Sequence, residues 1–182
     1  MNRKTSRGGY LRRITDDKIV QYRKTDDQPK NCCPCVMKFF GENPDVVNTV
    51  FTVYGQYGME PEAIENAFKH VYPNYNFKFN SLDNIVTEFD VRTQLKKIYD
   101  TVERGYGLFA GYRRRNCDHH CISFAKDLSD NIYLLDAQTG QIFMNEEIVK
   151  HLYTGVPEHV RVNKLFYLFG YDRNGNVLKI DV

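Results

Sequence analysis

The sequence predicts an α+β fold in which a helical N-terminal half precedes an antiparallel sheet. Up to about residue 104, apolar residues recur at helical spacing. After that point, short apolar or aromatic segments alternate with clusters of turn residues. The chain has 182 residues, of which 42% are hydrophobic. That is enough for one domain with a core of its own.

The polarity of the N-terminus sets the predicted domain boundary. Residues 1–27 are polar and basic, and we interpret them as a basic arm with one strand candidate at residues 18–22. Residues 28–182 form the single predicted domain. No stretch approaches the ~18 apolar residues of a membrane span, and no apolar core follows the basic start. We therefore expect neither a membrane-embedded chain nor a signal peptide.

Helices are predicted at residues 33–40, 44–53, 61–71 and 93–103. At the first of these, Asn31 is a good N-cap residue and Pro34 suits the opening turn, where its missing N–H would be unpaired anyway. Gly41 ends this helix. Between the third and fourth helices, residues 73–79 are expected to be extended.

Strands are predicted in the second half at residues 107–112, 120–126, 131–136, 165–171 and 177–182. Two polar segments, residues 127–130 and 172–175, are the predicted hairpin connections. A short helix at residues 146–152 interrupts the series. This order of elements favours a meandering antiparallel sheet.

Charge and cysteine usage limit the expected partners and compartment. A formal net charge of +2 does not favour a nucleic-acid partner, and we interpret the run Arg113-Arg114-Arg115 as a solvated loop. The chain has five cysteines, an odd number clustered in a way that does not suit a disulfide framework. We expect a reducing intracellular compartment, either a host cytoplasm or a virion.

Cys32 stands where a helix start would activate a thiol. The segment Asn31-Cys32-Cys33-Pro34-Cys35 opens an apolar run. The positive end of a helix and a nearby imidazolium both lower the pKa of a thiol. Cys35 lies about one turn further in and is expected to face the core.

A histidine and a carboxylate follow on two neighbouring strands. Strand alternation puts His120 on the face of the larger apolar residues and His119 on the other face or in the loop. A four-residue turn at 127–130 pairs residues 126 and 131, which places residue 121 opposite Asp136. Asp136 then neighbours His120 and accepts a hydrogen bond from its ring.

These motifs resemble the papain-like fold, and within it the compact bacterial toxin and effector branch that includes protein glutamine deamidases. In that branch an Asn-Cys-x-x-Cys motif opens the central helix, a strand beginning with His follows, and a later strand ends in Asp-x-Gln-x-Gly. The matching residues are Asn31-Cys32-x-x-Cys35, His120 and Asp136-Ala137-Gln138-Thr139-Gly140. The resemblance spans roughly residues 28–141 and rests on these short motifs.

The resemblance implies a fold and a set of roles. The Cys helix would pack on the C-terminal antiparallel sheet, with Cys32 as nucleophile, His120 as base and Asp136 as orienting group. Gln138 would be a supporting polar residue, and no cofactor is implied. The family usually has glycine before the histidine, where this chain has His119, so the choice of histidine stays open.

The oxyanion would be stabilised by groups near the helix start. Papain-like enzymes place a glutamine upstream of the cysteine, and Gln28 lies four residues upstream here. Asn31 and the backbone N–H groups of the first turn are the other candidates. The expected activity is hydrolysis of an amide in a protein substrate, by a cysteine protease, an isopeptidase or a glutamine deamidase.

Other function classes stay open. Cys32, Cys35, Cys117 and Cys121, with His119 or His120, could supply a tetrahedral zinc site. The fold could also serve as a scaffold without chemistry, for example as a virion component, since the Asn-, Tyr-, Phe- and Lys-rich composition resembles proteins of large DNA viruses. Phosphate contacts by the arginine run are a third alternative. The oligomeric state is not indicated.

Overall fold

The computed structural model describes residues 11–13, 61–115 and 119–180. Its helices are α1 (Pro61–Val71), α2 (Glu88–Thr101) and α3 (Glu146–Val149), which continues into the π-helical segment Lys150–Thr154 and is followed by the 3-10 turn Glu158–Val160. Its strands are β1 (Leu11–Arg13), β2 (Asn76–Ser81), β3 (Tyr106–Arg114), β4 (His119–Lys126), β5 (Ile132–Asp136), β6 (Gln141–Met144), β7 (Val162–Tyr171) and β8 (Lys179–Ile180). This content confirms the predicted α+β class.

The described strands form one sheet in the order β2-β7-β3-β4-β5-β6, and all neighbours along this path are antiparallel. β1 pairs with β3 in the antiparallel sense and with β8 in the parallel sense. Because β1 lies within residues 1–27, part of the segment interpreted as an arm contributes a strand to the sheet. The strand candidate at residues 18–22 lies outside the described residues.

The sheet has two buried faces, which we call the α1 face and the α2 face. On the α1 face, Phe68 of helix α1 joins a cluster that includes Phe109, Cys121 and Phe166. On the α2 face, the apolar residues of helix α2 join a cluster that includes Leu108, Ile122, Phe124, Leu134 and Leu165. Burying each large apolar side chain contributes about 1.5–3 kcal/mol, so both faces hold the sheet in place.

Helix α2 begins earlier than residue 93, where the sequence pattern had placed its start. Thr87 caps it: the Thr87 hydroxyl accepts the Asp90 N–H, and the Asp90 carboxylate accepts the Thr87 N–H. This reciprocal capping box satisfies two backbone donors that would otherwise be unpaired. The apolar positions Val91, Leu95 and Ile98 then face the sheet at helical spacing.

The segment expected to be extended at residues 73–79 is extended from Asn76 onward, as strand β2, which lies at one end of the strand order beside β7. Two other findings differ from the expectations. Strand β6 was not predicted, because its four residues are mostly exposed and show no clear alternation. Arg113 and Arg114 belong to strand β3, so the interpretation of the arginine run as a solvated loop is wrong for both of them.

Two of the predicted helices, at residues 33–40 and 44–53, lie outside the described residues, and so does the predicted packing of the Cys helix on the sheet. Among the helices that the structure does describe, none is long and apolar enough to span a membrane.

Candidate active site

The hairpin between β4 and β5 sets the geometry of the site, and its register differs by one residue from the predicted one. Lys126 pairs with Ile132 rather than with residue 131, and the pairing continues to Ser123 opposite Leu135. Asp127 causes the shift, because its Oδ1 accepts the N–H groups of Ser129 and Asn131. These bonds close a longer turn than a four-residue connection.

The observed register brings His120 and Asp136 to the same face. Continuing the pairing by one residue places Ile122 opposite Asp136, and residues opposite one another share a face. His120 lies two residues from Ile122 on the same strand, so it shares that face too. Under the predicted register, Asp136 would have shared the opposite face with Cys121. The one-residue correction therefore makes the pair diagonal neighbours.

His120 and Asp136 form a short hydrogen bond. Nε2 of His120 lies 2.7 Å from Oδ2 of Asp136 and donates to it. The imidazole is 23% exposed, whereas the carboxylate is only 3% exposed. The contact that the sequence predicted is thus present, and its carboxylate partner is shielded from water.

The second oxygen of Asp136 is held by the backbone. Oδ1 accepts the N–H groups of Gln138 and Thr139, both at 3.2 Å, and the Asp136 carbonyl accepts the Gly140 N–H at 2.8 Å. Gly140 has a φ of 78°, a value that favours glycine. This explains why glycine occupies the last position of the Asp-x-Gln-x-Gly motif. With both oxygens engaged, the carboxylate has a defined orientation.

The electrostatics of Asp136 favour its charged form. Burial alone raises the pKa of a carboxyl group, but the hydrogen bond and charge of His120 oppose that effect. The N–H groups of Thr139 and Gln138 lower the pKa further. The net result is a pKa of Asp136 below its usual value, so the group is a carboxylate at neutral pH.

Tyr112 packs on the His120 imidazole, and Arg114 packs on Tyr112. Tyr112 stands opposite His120 across the β3–β4 pair, and the two rings meet edge to face at 5.4 Å. The guanidinium of Arg114 lies over the Tyr112 ring at 5.1 Å. Arg114 also donates to the carbonyl groups of His151 and Val160. These contacts connect the His120 ring to the segment that follows α3.

His151 is a second histidine near the pair, and the sequence analysis did not identify it. Its ring stacks on Phe143 at 3.9 Å and lies 3.5 Å from a guanidinium nitrogen of Arg114. Burial, the Arg114 charge and the charge of His120 lower the pKa of His151 to about 4, although Asp136 opposes them. His151 is therefore neutral at pH 7. Its position in a π-helical segment, a feature often found at functional sites, is not visible in the sequence pattern.

His119 lies on the other face of the sheet. Its ring contacts Phe166 at 5.3 Å in an edge-to-face arrangement. Gly111 leaves room for the Phe166 ring, since a Cβ at position 111 would overlap that ring. Between the two histidines that the sequence left open, only His120 contacts Asp136.

Several of the other candidate residues lie outside the part of the chain that the structure describes. Cys32, Gln28 and Asn31 lie outside the described residues, as do two of the alternative zinc ligands, Cys35 and Cys117. Gln138 is half-buried and supports Asp136 through its backbone N–H. The fourth alternative zinc ligand, Cys121, is 2% exposed within the cluster of the α1 face. Within the described ranges, no group of three or more His, Cys, Asp or Glu residues could hold a metal ion.

The comparisons with known proteins find a likeness in structure but none in sequence. No protein-family model and no curated protein matches the sequence. The crystal structure of the Pseudomonas avirulence protein AvrPphB is similar at 13% sequence identity, with a TM-score of 0.47. The likeness covers 80% of this chain and 95% of that one.

Proposed function

We propose that the protein is a papain-like thiol hydrolase that cleaves an amide bond with Cys32, His120 and Asp136. The observation that carries the proposal is the 2.7 Å hydrogen bond from His120 to a buried carboxylate whose other oxygen is held by two backbone N–H groups. An oriented histidine of this kind is what a weak nucleophile needs from its base. The helix-start position of Cys32 in the sequence supplies the candidate nucleophile.

The first half of the reaction forms a thioester. The Cys32 thiol gives its proton to His120, whose Nε2–H stays bonded to Asp136, so Nδ1 is the nitrogen that takes the proton. The thiolate attacks the amide carbon and forms the C–S bond. Backbone N–H groups at the helix start, with Gln28 or Asn31, stabilise the oxyanion. His120 then protonates the leaving nitrogen as the C–N bond breaks.

The second half restores the enzyme. His120, neutral again, takes a proton from water, and the hydroxide attacks the thioester carbon. The C–S bond breaks, a carboxylic acid leaves, and the sulfur regains its proton from His120. Asp136 stays ionised throughout and stabilises each imidazolium, in keeping with its buried and bonded position.

The leaving group separates the two forms of the proposal. A peptide or isopeptide amine makes the protein a protease or isopeptidase, whereas ammonia from a glutamine side chain makes it a deamidase. The three residues act in the same way in both. Mass spectrometry of candidate protein substrates distinguishes a cut chain from a side-chain amide converted to an acid.

Alkylation of Cys32 tests the proposal. Iodoacetamide is added to the full chain over a pH series, and each cysteine is read by peptide mass spectrometry. We expect Cys32 to react at an appreciable rate below neutral pH, because an imidazolium and a helix start keep it as thiolate. Cys33 is the matched control, and its rate should fall about tenfold per pH unit below its ordinary pKa near 8.5.

Two results would contradict the proposal that the protein is a thiol hydrolase. One is a pH profile of Cys32 that follows that of Cys33. The other is one zinc per purified chain in metal analysis, which would favour the cysteine-rich metal site instead. The expectations of a scaffold, of a virion component and of a reducing compartment stay predictions.

A further inference from the structure

A row of basic side chains crosses three neighbouring strands at the end of the α1 face, where these side chains are half-buried and not part of the buried cluster. Arg113 of β3 stands opposite Lys164 of β7 on one side and opposite His119 of β4 on the other. Residues directly opposite one another in antiparallel strands have Cβ atoms about 5 Å apart and point to the same face. We call these three residues the basic row.

The described contacts of the basic row leave its charge uncompensated. Arg113 Nε donates to the side-chain oxygen of Asn163 at 3.2 Å, and Lys164 Nζ donates to that of Asn84 at 3.5 Å. Both acceptors are neutral amides. Among the described residues no carboxylate forms an ion pair with Arg113 or Lys164, and His119 contacts the ring of Phe166.

More positive charge stands at the same end of the sheet. Arg115 follows strand β3 directly, and its N–H donates to the carbonyl of Arg161, just before strand β7. The carboxylate that approaches Arg115 belongs to Glu158, at 3.5 Å, and that side chain is 78% exposed. An ion pair so open to water is weak. Within the described ranges, the charged side chains at this end of the sheet are therefore mainly cationic.

Like charges directly opposite one another destabilise a strand pair. A sheet gains nothing for its own stability from an arginine facing a lysine. An anionic ligand would remove the repulsion and turn both cations into donors for carboxylate oxygens. Arginine suits this role because its planar fork matches a carboxylate, and lysine adds a compact charge beside it.

The basic row shares an edge with the proposed active site. Arg113 directly follows Tyr112, which packs on His120, and His119 directly precedes His120. The row and the His120–Asp136 pair therefore lie at the same strand ends but on opposite faces. A chain that is bound to the row would leave the sheet at the edge where His120 stands.

We propose that the basic row is a docking surface for an acidic segment of the protein substrate, an inference that rests on the hydrolase proposed above. A peptide fits better than a nucleic acid for two reasons. The row spans three strands, or only about 10 Å at the usual strand spacing, which accommodates few phosphates. Bases would also need an exposed aromatic face, and Phe166, the aromatic ring next to the row, is 2% exposed.

The experiment is a binding titration on the full chain carrying Cys32→Ala. A fluorescently labelled glutamate-rich peptide is titrated by anisotropy at low and at physiological salt. Lys164→Glu should weaken binding about tenfold, because attraction is replaced by repulsion at one end of the row, directly opposite Arg113. Arg173→Glu, an exposed charge reversal in a turn, is the matched control and should change binding less than about twofold.

Thermal melting adds a readout that a purely structural role would not produce. Lys164→Glu places a carboxylate opposite Arg113, so the melting temperature should stay the same or rise while peptide binding falls. A variant that melts earlier and binds less would indicate damage to the fold and would overturn the proposal, and so would equal weakening in the control variant.

The remaining outcomes of the titration also test the proposed docking surface. Absence of peptide binding overturns the docking surface, and tighter binding of a single-stranded oligonucleotide of equal charge overturns the choice of an acidic peptide. The binding assay does not need the thiol, so it fails only if the surface is wrong. Alkylation of Cys32, which should be unchanged by Lys164→Glu, fails only if the hydrolase is wrong.

Discussion

Two adjacent histidines have different environments because they point to opposite faces of one strand. His120 lies on the α2 face, where a buried carboxylate accepts its Nε2–H at 2.7 Å. His119 lies on the α1 face, against Phe166 and opposite Arg113. The residue type is the same and the positions differ by one. Which histidine can act as a base therefore depends on the face of the strand and on the side chains that the neighbouring strand presents there.

Among the described residues, the α2 face presents three groups near His120 that have no counterpart near His119 on the α1 face. One is the carboxylate of Asp136, another is the edge of the Tyr112 ring, and the third is a neutral imidazole at His151. On the α1 face the equivalent surroundings are the basic row and an aromatic ring. An imidazolium that forms during a reaction is stabilised by the first environment and not by the second.

The largest effect is expected from replacing each histidine in turn. His120→Ala should slow iodoacetamide alkylation of Cys32 about 100-fold at pH 6, because the thiolate loses its imidazolium partner. His119→Ala is the matched control and should change the rate less than about threefold, since it does not contact Asp136. The rates are measured on Cys32 by peptide mass spectrometry. Equal losses of rate in the two variants would contradict the claim that the face of the strand decides which histidine acts as the base.

The next effect tests the carboxylate that distinguishes the two faces. Asp136→Asn should cost about 2 kcal/mol of unfolding free energy at pH 7, because a buried charged acceptor is lost. The pKa of Asp136 is lower in the folded state than in the unfolded chain. Its contribution is therefore fully present above the ordinary value near 4 and is lost as the pH falls through the lower folded value.

Urea unfolding of both proteins over an acid pH series measures this difference. The gap between wild type and Asp136→Asn should shrink below about pH 4. Asp130→Asn replaces an exposed carboxylate that is paired with Arg104 and should give a far smaller gap at neutral pH. A gap for Asp136→Asn that stays constant in acid would show that the lost bond does not depend on the ionised carboxylate.

The smallest effect concerns His151, the third histidine near this end of the sheet. Its pKa is about 4 when folded, against an ordinary value of 6.5. Between these values the unfolded chain binds a proton that the folded protein does not, so stability falls as the pH falls from 6.5 to 4. Because the ring is partly exposed, we expect a change of about 1 kcal/mol, measured by urea unfolding.

His151→Gln should remove that pH dependence, because glutamine does not titrate. His159→Gln, at an exposed position in the 3-10 turn, should leave the slope unchanged. If the slope survives in His151→Gln, another group accounts for it, and His151 is not held neutral by burial and Arg114.

Local sequence patterns predicted much of what surrounds the candidate site. Helix α1 has the predicted bounds, residues 61–71, since an amphipathic segment that starts at a proline is recognisable from spacing alone. The alternation predicted for strand β4 is also observed, with Ile122 and Phe124 on one face and Cys121 on the other. The start of α2, by contrast, was predicted at residue 93 and lies at Glu88, and the capping-box spacing of Thr87 and Asp90 is the local signal that marks it.

Other features depend on contacts that no local pattern contains. The pairing of β2 with β7 joins residues about 90 positions apart, for example Asn76 with Tyr171. The stacking of His151 on Phe143 requires the segment after α3 to fold back over β6. The central helix that would carry Cys32 lies outside the described residues, so its place relative to His120 stays a prediction.

Local patterns predicted the α+β class and the face of His120, because strand alternation and turn composition are local properties of the chain. They also named Asp136 as the partner of His120, but with a register that would have placed it on the opposite face. The register that brings His120 and Asp136 together is a property of the folded hairpin. The reason is physical: Asp127 draws Ser129 and Asn131 into a longer turn, and a shift of one residue exchanges the two faces of a strand. Tertiary packing also placed Arg113 opposite Lys164, a basic residue that lies far from it along the chain.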